Sequence, residues 1–316
     1  MNLKYNNLKI KIPSRCIFNL ASFDILNGLG GGYGLALDTD SLLTISISDK
    51  EKIIAKKYQT IIKYYLEIMK HILDIKENFT INLTFDKRIK PHSGFASNMM
   101  VACSLIYGIN KMYNDLLTKE ECFSIIKENY KEEDCEHIIT QSFYTGNSLY
   151  TIYSGGLVIV SKDKECYQKF IIDNKMKCVI IKTEAKKRIT DELKLHKLAL
   201  KSDKVFAKER EKIIFTILPL LIKKKDYTSL AYYTKFIQSN GAQKVFRDNI
   251  YSNMINIPRV LEQLEDNNLI TGLTNSFDIF VFTSNLSFIE KLSKEERFNY
   301  DIFKINNNGL KIIKDA

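Results

Sequence analysis

Several residue types that mark particular protein classes are scarce in this chain. Its 316 residues include no tryptophan, four prolines and four histidines, and no window reaches eighteen uninterrupted apolar residues. A transmembrane helix needs about 20 such residues, so none is expected. The N-terminal MNLKYNNLKIKIP also lacks the apolar run of a signal peptide. We therefore expect a cytoplasmic protein without a membrane partner.

Metal-ligand and disulfide patterns are missing as well. His71, His137 and His196 stand at no ligand spacing from one another, which predicts no protein-held zinc. The six cysteines contain no CxxC pair and lie mostly in apolar segments, which favours reduced structural thiols over a disulfide framework. They are Cys16, Cys103, Cys122, Cys135, Cys166 and Cys178.

Charge and length indicate which partners and how many domains to expect. The net charge is +10, but the lysines are dispersed along the chain and no nucleic-acid motif accompanies them. This favours a solvated basic surface over a nucleic-acid partner, and a polyanionic small substrate would also benefit from it. A chain of 316 residues exceeds what one core usually organises, so two domains sharing a cleft are expected.

Hydrophobic periodicity predicts a mixed α+β protein. LKIKIP alternates apolar and polar residues, as do Leu42–Ser48 and Phe79–Lys87, which predicts strands. Apolar residues at three- and four-residue steps predict one long amphipathic helix over Glu51–Leu73.

In the second half of the chain, Cys178–Lys182 and Phe277–Ser284 are predicted as central strands. Helices are predicted at Lys208–Lys223, where Pro219 is expected to cause a kink or break, and at Thr228–Ser239 and Arg259–Asn267. The pattern predicts a sheet covered by helices on one face.

A strand–loop–helix junction at Pro91–Ser97 is the first candidate functional site. A glycine-containing turn runs directly into an apolar helix from about Asn98. Free N–H groups and the positive dipole end collect phosphates at such a helix start. Ser97 is expected either to cap the helix or to meet a metal ion held by the phosphates. The predicted phosphate- or nucleotide-binding residues are Pro91, His92, Ser93, Gly94, Phe95, Ala96, Ser97 and Asn98.

Further Gly-rich segments occur in a characteristic order along the chain: SFDILNGLGGGYGLALDTD, YTGNSLYTIYSGGLVIV and ITGLTNSFDIFVFTS. With them, Pro91–Met100 resembles the second motif of the GHMP kinase superfamily, with Phe95 replacing a leucine and Asn98 a serine. The third motif has a degraded counterpart at Gly272–Thr283. The resemblance implies a ribosomal-protein-S5-domain-2-like domain over residues 1–170 and a ferredoxin-like domain over residues 171–316.

Within that superfamily the chain is most similar to beta-ribofuranosylaminobenzene 5'-phosphate synthase. That resemblance rests on PSR at Pro13–Arg15, on GGYGLALD at Gly31–Asp38 and on Leu218–Gln238. It implies transfer from phosphoribosyl pyrophosphate to 4-aminobenzoate, with release of carbon dioxide and pyrophosphate. The chain departs from that branch because no histidine follows Arg15. It departs from many GHMP kinases because Asn147 and Ser148 stand where those kinases have an aspartate.

Candidate roles follow from the charge that either donor would develop. Arg15 is a candidate clamp for a phosphate or carboxylate, although an exposed charge at a strand end explains it equally. Ser97 is a candidate contact for Mg²⁺ through the phosphates. A carboxylate near a developing positive sugar centre is assigned to Asp24 in preference to Asp38, which is better explained as the start of a turn. The predicted substrate-binding residues are Gly31, Gly32, Gly146, Asn147 and Asp278.

GLGGGYG itself allows two interpretations, a second phosphate cradle or hairpin glycines that need positive φ. A dinucleotide fingerprint is excluded because a strand follows it instead of a helix.

Three hypotheses remain. The first is a phosphoribosyl-type transferase, the second an ATP-dependent kinase acting on a sugar, alcohol or nucleoside, and the third a non-catalytic ligand-binding relative. The expected ligands are Mg²⁺, with ATP or phosphoribosyl pyrophosphate as donor, and a small-molecule acceptor. A homodimer is left open.

Overall fold

The computed structural model describes residues 3–24, 28–90, 93–134, 136–142, 144–165, 167–183, 192–252, 254, 256–274 and 276–313. In its first half the elements are β1 (Asn7–Leu20), β2 (Gly32–Ser48), β3 (Lys52–Ile54), α1 (Gln59–Ile72), β4 (Asn78–Thr84), α2 (Ser97–Met112), α3 (Lys119–Glu128), β5 (Lys131–Glu133), β6 (Ile139–Gln141), α4 (Asn147–Ser154), β7 (Leu157–Val160) and β8 (Tyr167–Phe170). The second half holds β9 (Lys177–Ile181), α5 (Glu192–Lys212), a π-helix (Ile213–Ile217), α6 (Leu218–Lys224), α7 (Tyr227–Gln238), α8 (Gly241–Tyr251), α9 (Ile257–Asp266), β10 (Ile270–Leu273), β11 (Ile279–Thr283), α10 (Leu286–Glu296), β12 (Tyr300–Lys304) and β13 (Lys311–Ile313).

A seven-stranded sheet organises the first half of the chain. Its main path runs β13-β1-β2-β4-β3, while β7 pairs with β2 and with β8. The long β1 and β2 strands are antiparallel, and register shifts between Ile12 and Ser14 and between Ile17 and Asn19 bend them. Pro13, which has no N–H for a ladder bond, lies at the first shift.

A four-stranded antiparallel sheet organises the second half, in the order β10-β11-β9-β12. Numbered along the chain, this is the 2-3-1-4 order of a ferredoxin-like sheet. The two sheets meet where Phe18 on β1 stacks on Phe280 of β11, with ring centroids 4.3 Å apart. The predicted α+β class is confirmed.

The strand β13 crosses the predicted domain boundary. It pairs with β1, and Leu37 of β2 forms a bridge with Ile305. The C-terminal residues therefore close the first sheet, although they follow the second sheet in sequence. The division at residues 170 and 171 stays a prediction.

The predicted helix over Glu51–Leu73 is wrong in its first two turns. Lys52–Ile54 instead forms β3, parallel to β4, and α1 begins only at Gln59. Tyr58 precedes α1 in the left-handed conformation, with φ 69°, which interrupts any helix running from Glu51. Apolar residues at Ile53 and Ile54 serve an edge strand as well as a helix, so periodicity does not separate the two.

The predicted break of the α-helix near Pro219 is confirmed, but it takes the form of a π-helical segment. Helix α5 passes into the π-helix directly before α6, and Pro219 occupies the first turn of α6. Proline lacks the N–H that would continue the α-helical ladder, and a π turn accommodates that loss. The predicted helix Lys208–Lys223 begins far too late, because α5 already starts at Glu192. Strands β1 and β2 likewise extend well beyond the predicted segments, and the remaining predicted strands and helices agree with the structure to within a few residues at their ends.

Four cysteines, Cys16, Cys103, Cys122 and Cys178, are buried free thiols, as expected. Cys135 and Cys166 lie outside the described residues. Within the described ranges, no helix is both long and apolar enough to span a bilayer.

Candidate functional site at the start of helix α2

The loop before α2 gives the start of that helix no side-chain cap. It is described from Ser93 onward, while Pro91 and His92 lie outside the described residues. Gly94 and Ala96 both have positive φ, at 80° and 60°. Ala96 is the N-cap and has no side-chain oxygen to offer, and the first turn of α2 carries no acidic residue. The first N–H groups of α2 therefore keep their positive partial charge for an incoming anion.

Arg15 on β1 lies against this loop. It is buried, and its Nη1 donates to the carbonyl oxygen of Gly94 across 2.7 Å. Its Nε donates to Ser148 Oγ across 2.9 Å. No carboxylate of the described residues lies within ion-pair distance of it, and burial lowers the pKa of Arg15 to about 10. Its direct hydrogen-bond partners are neutral, and the Glu132 carboxylate acts on it only from beyond ion-pair distance, so the site suits an anionic ligand.

The third Gly-rich segment packs on the other side of the same loop. Ser276 Oγ donates to the carbonyl oxygen of Ser93 across 2.9 Å. A Cβ added to Gly94 would lie 3.1 Å from both the backbone nitrogen and Oγ of Ser276. Glycine is favoured there, because the position combines positive φ with close packing. Ser14 Oγ completes the anchoring by donating to the carbonyl oxygen of Phe95 across 2.7 Å.

Ser97 is the first residue of α2, so the interpretation of Ser97 as only an N-cap is wrong. Its hydroxyl accepts a hydrogen bond of 2.6 Å from the phenol of Tyr58. Asn98 bonds in both directions with the backbone of Glu133, at 3.1 Å and 3.5 Å. Both Ser97 and Asn98 are buried, so their side chains are fixed before any ligand arrives.

Helix α4 brings the predicted substrate residues Gly146 and Asn147 to the same region. Gly146 is its N-cap with φ 83°, and Ser148 in its first turn is the partner of Arg15. Asn147 Nδ2 donates to the carbonyl oxygen of Gly31 across 2.6 Å, whereas its buried Oδ1 has no hydrogen-bond partner. The amide therefore joins the GGG segment to α4.

Gly31 and Gly32 are required by packing. Their φ values are 67° and 116°, and an added Cβ would lie 2.2 Å from the carbonyl oxygens of Ser161 and Asn19, respectively. These contacts explain the glycines as tight-turn residues. Their predicted role in substrate binding stays a prediction.

Asp278 lies next to the third Gly-rich segment. Its Oδ1 accepts from the backbone N–H of Thr183 across 2.9 Å, and Lys182 Nζ is 3.7 Å from Oδ2. Burial raises the pKa of Asp278. Lys182 Nζ also lies 5.2 Å from the centroid of the Phe95 ring, which connects this cluster to the loop.

The two remaining carboxylate candidates follow β1 and lie on β2, respectively. Asp24 follows the end of β1, and about 16 Å of strand separates Arg15 from Leu20. Its neighbour Phe23 packs on Phe246 of α8. Asp38 forms an ion pair with Lys11 at 2.8 Å. The catalytic role of Asp24 stays a prediction.

Tyr58 and Glu133 are site residues that the sequence did not indicate. Tyr58 falls in the region predicted as uninterrupted helix, and Glu133 in an acidic run without a motif. The Glu133 carboxylate accepts from the N–H groups of Tyr58 and Ile61, at 3.2 Å and 2.8 Å, and so caps α1. Their contacts with Ser97 and Asn98, which only the three-dimensional structure reveals, identify them as site residues.

The donor atoms present fit a metal ion that is brought by its phosphates. Among residues 3–313 as far as they are described, no group of three His, Cys, Asp or Glu side chains is placed to hold a metal. The Glu133 carboxylate is engaged by two N–H groups and by His137 Nδ1, which lies 2.7 Å from Oε1. Ser97 Oγ is the hydroxyl available beside the helix start.

Comparison with solved structures gives matches over nearly the whole chain. Homoserine kinase from Cytophaga hutchinsonii matches with a TM-score of 0.65 and 15% identity, covering 99% of each chain. Methanococcus jannaschii mevalonate kinase gives 0.64 and 16%, covering 96% of this chain and 99% of its own. Lactococcus lactis galactokinase, solved with galactose, gives 0.63 and 11%, covering 96% and 95%. No protein-family model and no curated protein sequence matches the chain.

These matches define the class of protein to which the fold corresponds. The chain has the GHMP kinase fold, with the Arg15 and Ser97 cluster at the start of α2. The similarity to beta-ribofuranosylaminobenzene 5'-phosphate synthase is not among these matches and remains a prediction from sequence.

Proposed function

We propose that this protein is a small-molecule kinase that binds the phosphates of Mg-ATP at the start of α2. The main support for this proposal is the buried Arg15 guanidinium, which donates hydrogen bonds to the Gly94 carbonyl oxygen and to Ser148 Oγ. Among the described residues, no carboxylate lies within ion-pair distance of it. The Glu132 carboxylate offsets only part of the effect of burial on the pKa of Arg15, so a bound anion would supply the direct counter-charge that this guanidinium lacks. The fold supports the same proposal, since homoserine, mevalonate and galactose kinases share it.

The residues of the loop would act mainly by positioning and electrostatics. N–H groups at the start of α2 and the Arg15 side chain would absorb negative charge that develops on the phosphates. Mg²⁺, when bound with ATP, neutralises part of the same charge. Ser97 Oγ, held by Tyr58, would contact the phosphates or their metal ion from the helix start.

The residue beside Arg15 that would face the acceptor is not a general base. Ser148 lies beside Arg15 at the point where many GHMP kinases carry an aspartate, and a serine hydroxyl is not a base at neutral pH. Phosphoryl transfer can proceed by positioning alone, because its transition state is largely dissociative. The proposal therefore includes a reaction without base assistance.

The same serine supports a second candidate, transfer from phosphoribosyl pyrophosphate as in beta-ribofuranosylaminobenzene 5'-phosphate synthase. Displacement of pyrophosphate from a sugar needs an anion cradle but no base beside Arg15. Against it, the carboxylate assigned to the sugar centre, Asp24, lies beyond the end of β1. We rank it second for that reason.

Thermal unfolding with ligands separates these functions. Mg-ATP and Mg-phosphoribosyl pyrophosphate should be compared at equal concentrations, since a ligand stabilises by RT ln(1 + [L]/Kd). Release of ADP should then be followed with homoserine, mevalonate and galactose as first acceptors, chosen from the kinases that share the fold.

We expect stabilisation by Mg-ATP and acceptor-dependent ADP release. Stabilisation by phosphoribosyl pyrophosphate alone, with pyrophosphate release on adding 4-aminobenzoate, would replace the kinase by the second candidate. Binding of a donor without turnover of any acceptor would favour a non-catalytic ligand-binding relative. A protein that responds to neither donor would contradict the proposal.

A further inference from the structure

Tyr58 connects the start of α1 to the start of α2. Its phenol donates to Ser97 Oγ across 2.6 Å, and its side chain is buried. The ring packs against Phe85, with centroids 5.3 Å apart. Tyr58 is not a glycine, yet it has φ 69° and ψ 19°. A bulky residue rarely adopts this left-handed conformation, so its surroundings must hold it there.

Glu133 supplies that hold. Its two carboxylate oxygens accept from the N–H groups of Tyr58 and Ile61 at 3.2 Å and 2.8 Å, which fixes the first turn of α1. The backbone of the same residue is bonded in both directions to the Asn98 side chain in α2. Glu133 therefore joins the two helix starts through its side chain on one and its backbone on the other.

The direction of the Tyr58 bond determines what Ser97 can offer to a ligand. Because the phenol donates, one lone pair of Ser97 Oγ is occupied and the hydroxyl hydrogen must point elsewhere. Among the described residues, Ser97 Oγ donates this hydrogen to no acceptor. The hydroxyl hydrogen and the second lone pair remain for a phosphate oxygen or its metal ion.

We propose that Tyr58 is a positioning residue, which orients the Ser97 hydroxyl toward the bound phosphates, and that Glu133 acts through it. This inference rests on the proposed phosphate site at the start of α2. It assigns a role to two residues outside the Gly-rich segments. It also explains why the strained backbone of Tyr58 lies directly beside the site.

The test uses a double-mutant cycle on the full chain with Mg-tripolyphosphate as probe. This ligand reports on the phosphate site alone, because it has no nucleoside and needs no acceptor. Affinity is measured by calorimetry for Tyr58→Phe, Ser97→Ala and the double variant. Tyr65→Phe is the matched control: Tyr65 is a buried tyrosine of α1, and its hydroxyl bonds to the carbonyl oxygen of Asn129 at 3.2 Å.

We expect each single variant to weaken binding about tenfold, and the double variant to weaken it no further, because both remove the same interaction. Tyr65→Phe should bind as the wild type does, with a similar thermal midpoint to Tyr58→Phe. In turnover with Mg-ATP, Tyr58→Phe should reduce kcat/KM for the nucleotide and leave the KM of the acceptor unchanged.

Additive losses, or unaltered binding by Tyr58→Phe, would overturn the positioning role alone. Wild-type protein that binds no polyphosphate would overturn this inference together with the proposed function. If the cycle is non-additive as expected but no acceptor is phosphorylated, the positioning role stands and the kinase proposal fails.

Discussion

Arg15 donates from Nη1 to the carbonyl oxygen of Gly94 at 2.7 Å, which places a buried guanidinium directly behind the loop that opens α2. Arg15 belongs to the middle of β1, and Gly94 to the loop 79 residues later. A carbonyl oxygen and a hydroxyl are weak partners for a buried charge compared with a carboxylate. The buried charge of Arg15 is therefore only partly compensated in the ligand-free protein.

Replacing Arg15 by methionine should weaken donor binding with little effect on the stability of the ligand-free protein. Burial lowers the pKa of Arg15 to about 10, so its charge opposes folding at every pH below that value, and removing it relieves the cost. The lost bonds to Gly94 and Ser148 offset this gain. Hydrogen bonds to a charged group are worth about 1.5–3 kcal/mol, so affinity for Mg-ATP should fall about tenfold to a hundredfold.

The measurement is thermal unfolding of Arg15→Met with and without Mg-ATP. Lys11→Met is the control, since Lys11 is a cation on the same strand that pairs with Asp38 instead of the loop. If Arg15→Met kept the full ligand response and lost more than about 10 °C of its own midpoint, Arg15 would be a structural residue.

Gly94→Ala should reduce donor affinity more than Gly28→Ala. Both positions have positive φ, so each alanine costs about 1–2 kcal/mol of backbone strain. The Cβ at Gly28 meets no atom within 4 Å, whereas at Gly94 it meets Ser276 at 3.1 Å and displaces the loop. Calorimetric titration with Mg-ATP should show a loss of at least about tenfold for Gly94→Ala alone. Equal affinities of the two variants would show that the loop geometry does not matter for the donor.

Asp278→Asn should stabilise the protein at neutral pH. Burial raises the pKa of Asp278 above its ordinary value of 3.8, so the charged form opposes folding once the pH exceeds the raised value. Asparagine keeps an oxygen for the N–H of Thr183. Urea unfolding at several pH values should show the variant ahead at pH 7, with the difference closing as the pH falls toward 3.8. A less stable variant at pH 7 would mean that Lys182 compensates the carboxylate fully.

Asp86→Asn should have the opposite sign. Arg88 hydrogen bonds hold the pKa of Asp86 well below its ordinary value of 3.8, so the ionised carboxylate stabilises the fold above that pH. Its Oδ2 also accepts from the N–H of Asp40 at 3.0 Å. The variant should lose about 1–3 kcal/mol at pH 7 in urea unfolding, and the loss should shrink in acid as the wild type becomes protonated. A loss that is independent of pH would point to packing instead of charge.

Local signals were sufficient for the loop and for the central strands and several of the helices, but not for α3, α4, α8, α10 or most of the short strands. A glycine turn followed by an apolar run predicts a helix start from residues adjacent in sequence, and α2 begins within a residue of the expected position. The order of Gly-rich segments led to the correct fold through its resemblance to the GHMP kinase motifs. Gly31, Gly94 and Gly146 all have positive φ in the structure.

Capping and side-chain pairing were not accessible in the same way. The expected helix over Glu51–Leu73 failed because the residue that caps α1, Glu133, is supplied by a hairpin 72 residues after Ile61. Ser97 has a hydroxyl typical of an N-cap, but Ala96 holds that position because the loop turns one residue earlier than expected. A pattern within a window contains no information about such partners.

The sequence by itself determined that a helix start suited to phosphate lies at Ser97 and that the chain adopts the GHMP kinase fold. Only the tertiary structure decided which side chains surround that helix start. Arg15 comes from β1, Ser148 from α4, Tyr58 from the position before α1 and Ser276 from the loop between β10 and β11. Backbone conformation is set by neighbours in sequence, whereas the charge and hydrogen bonds of a site depend on strands and helices that meet only after folding.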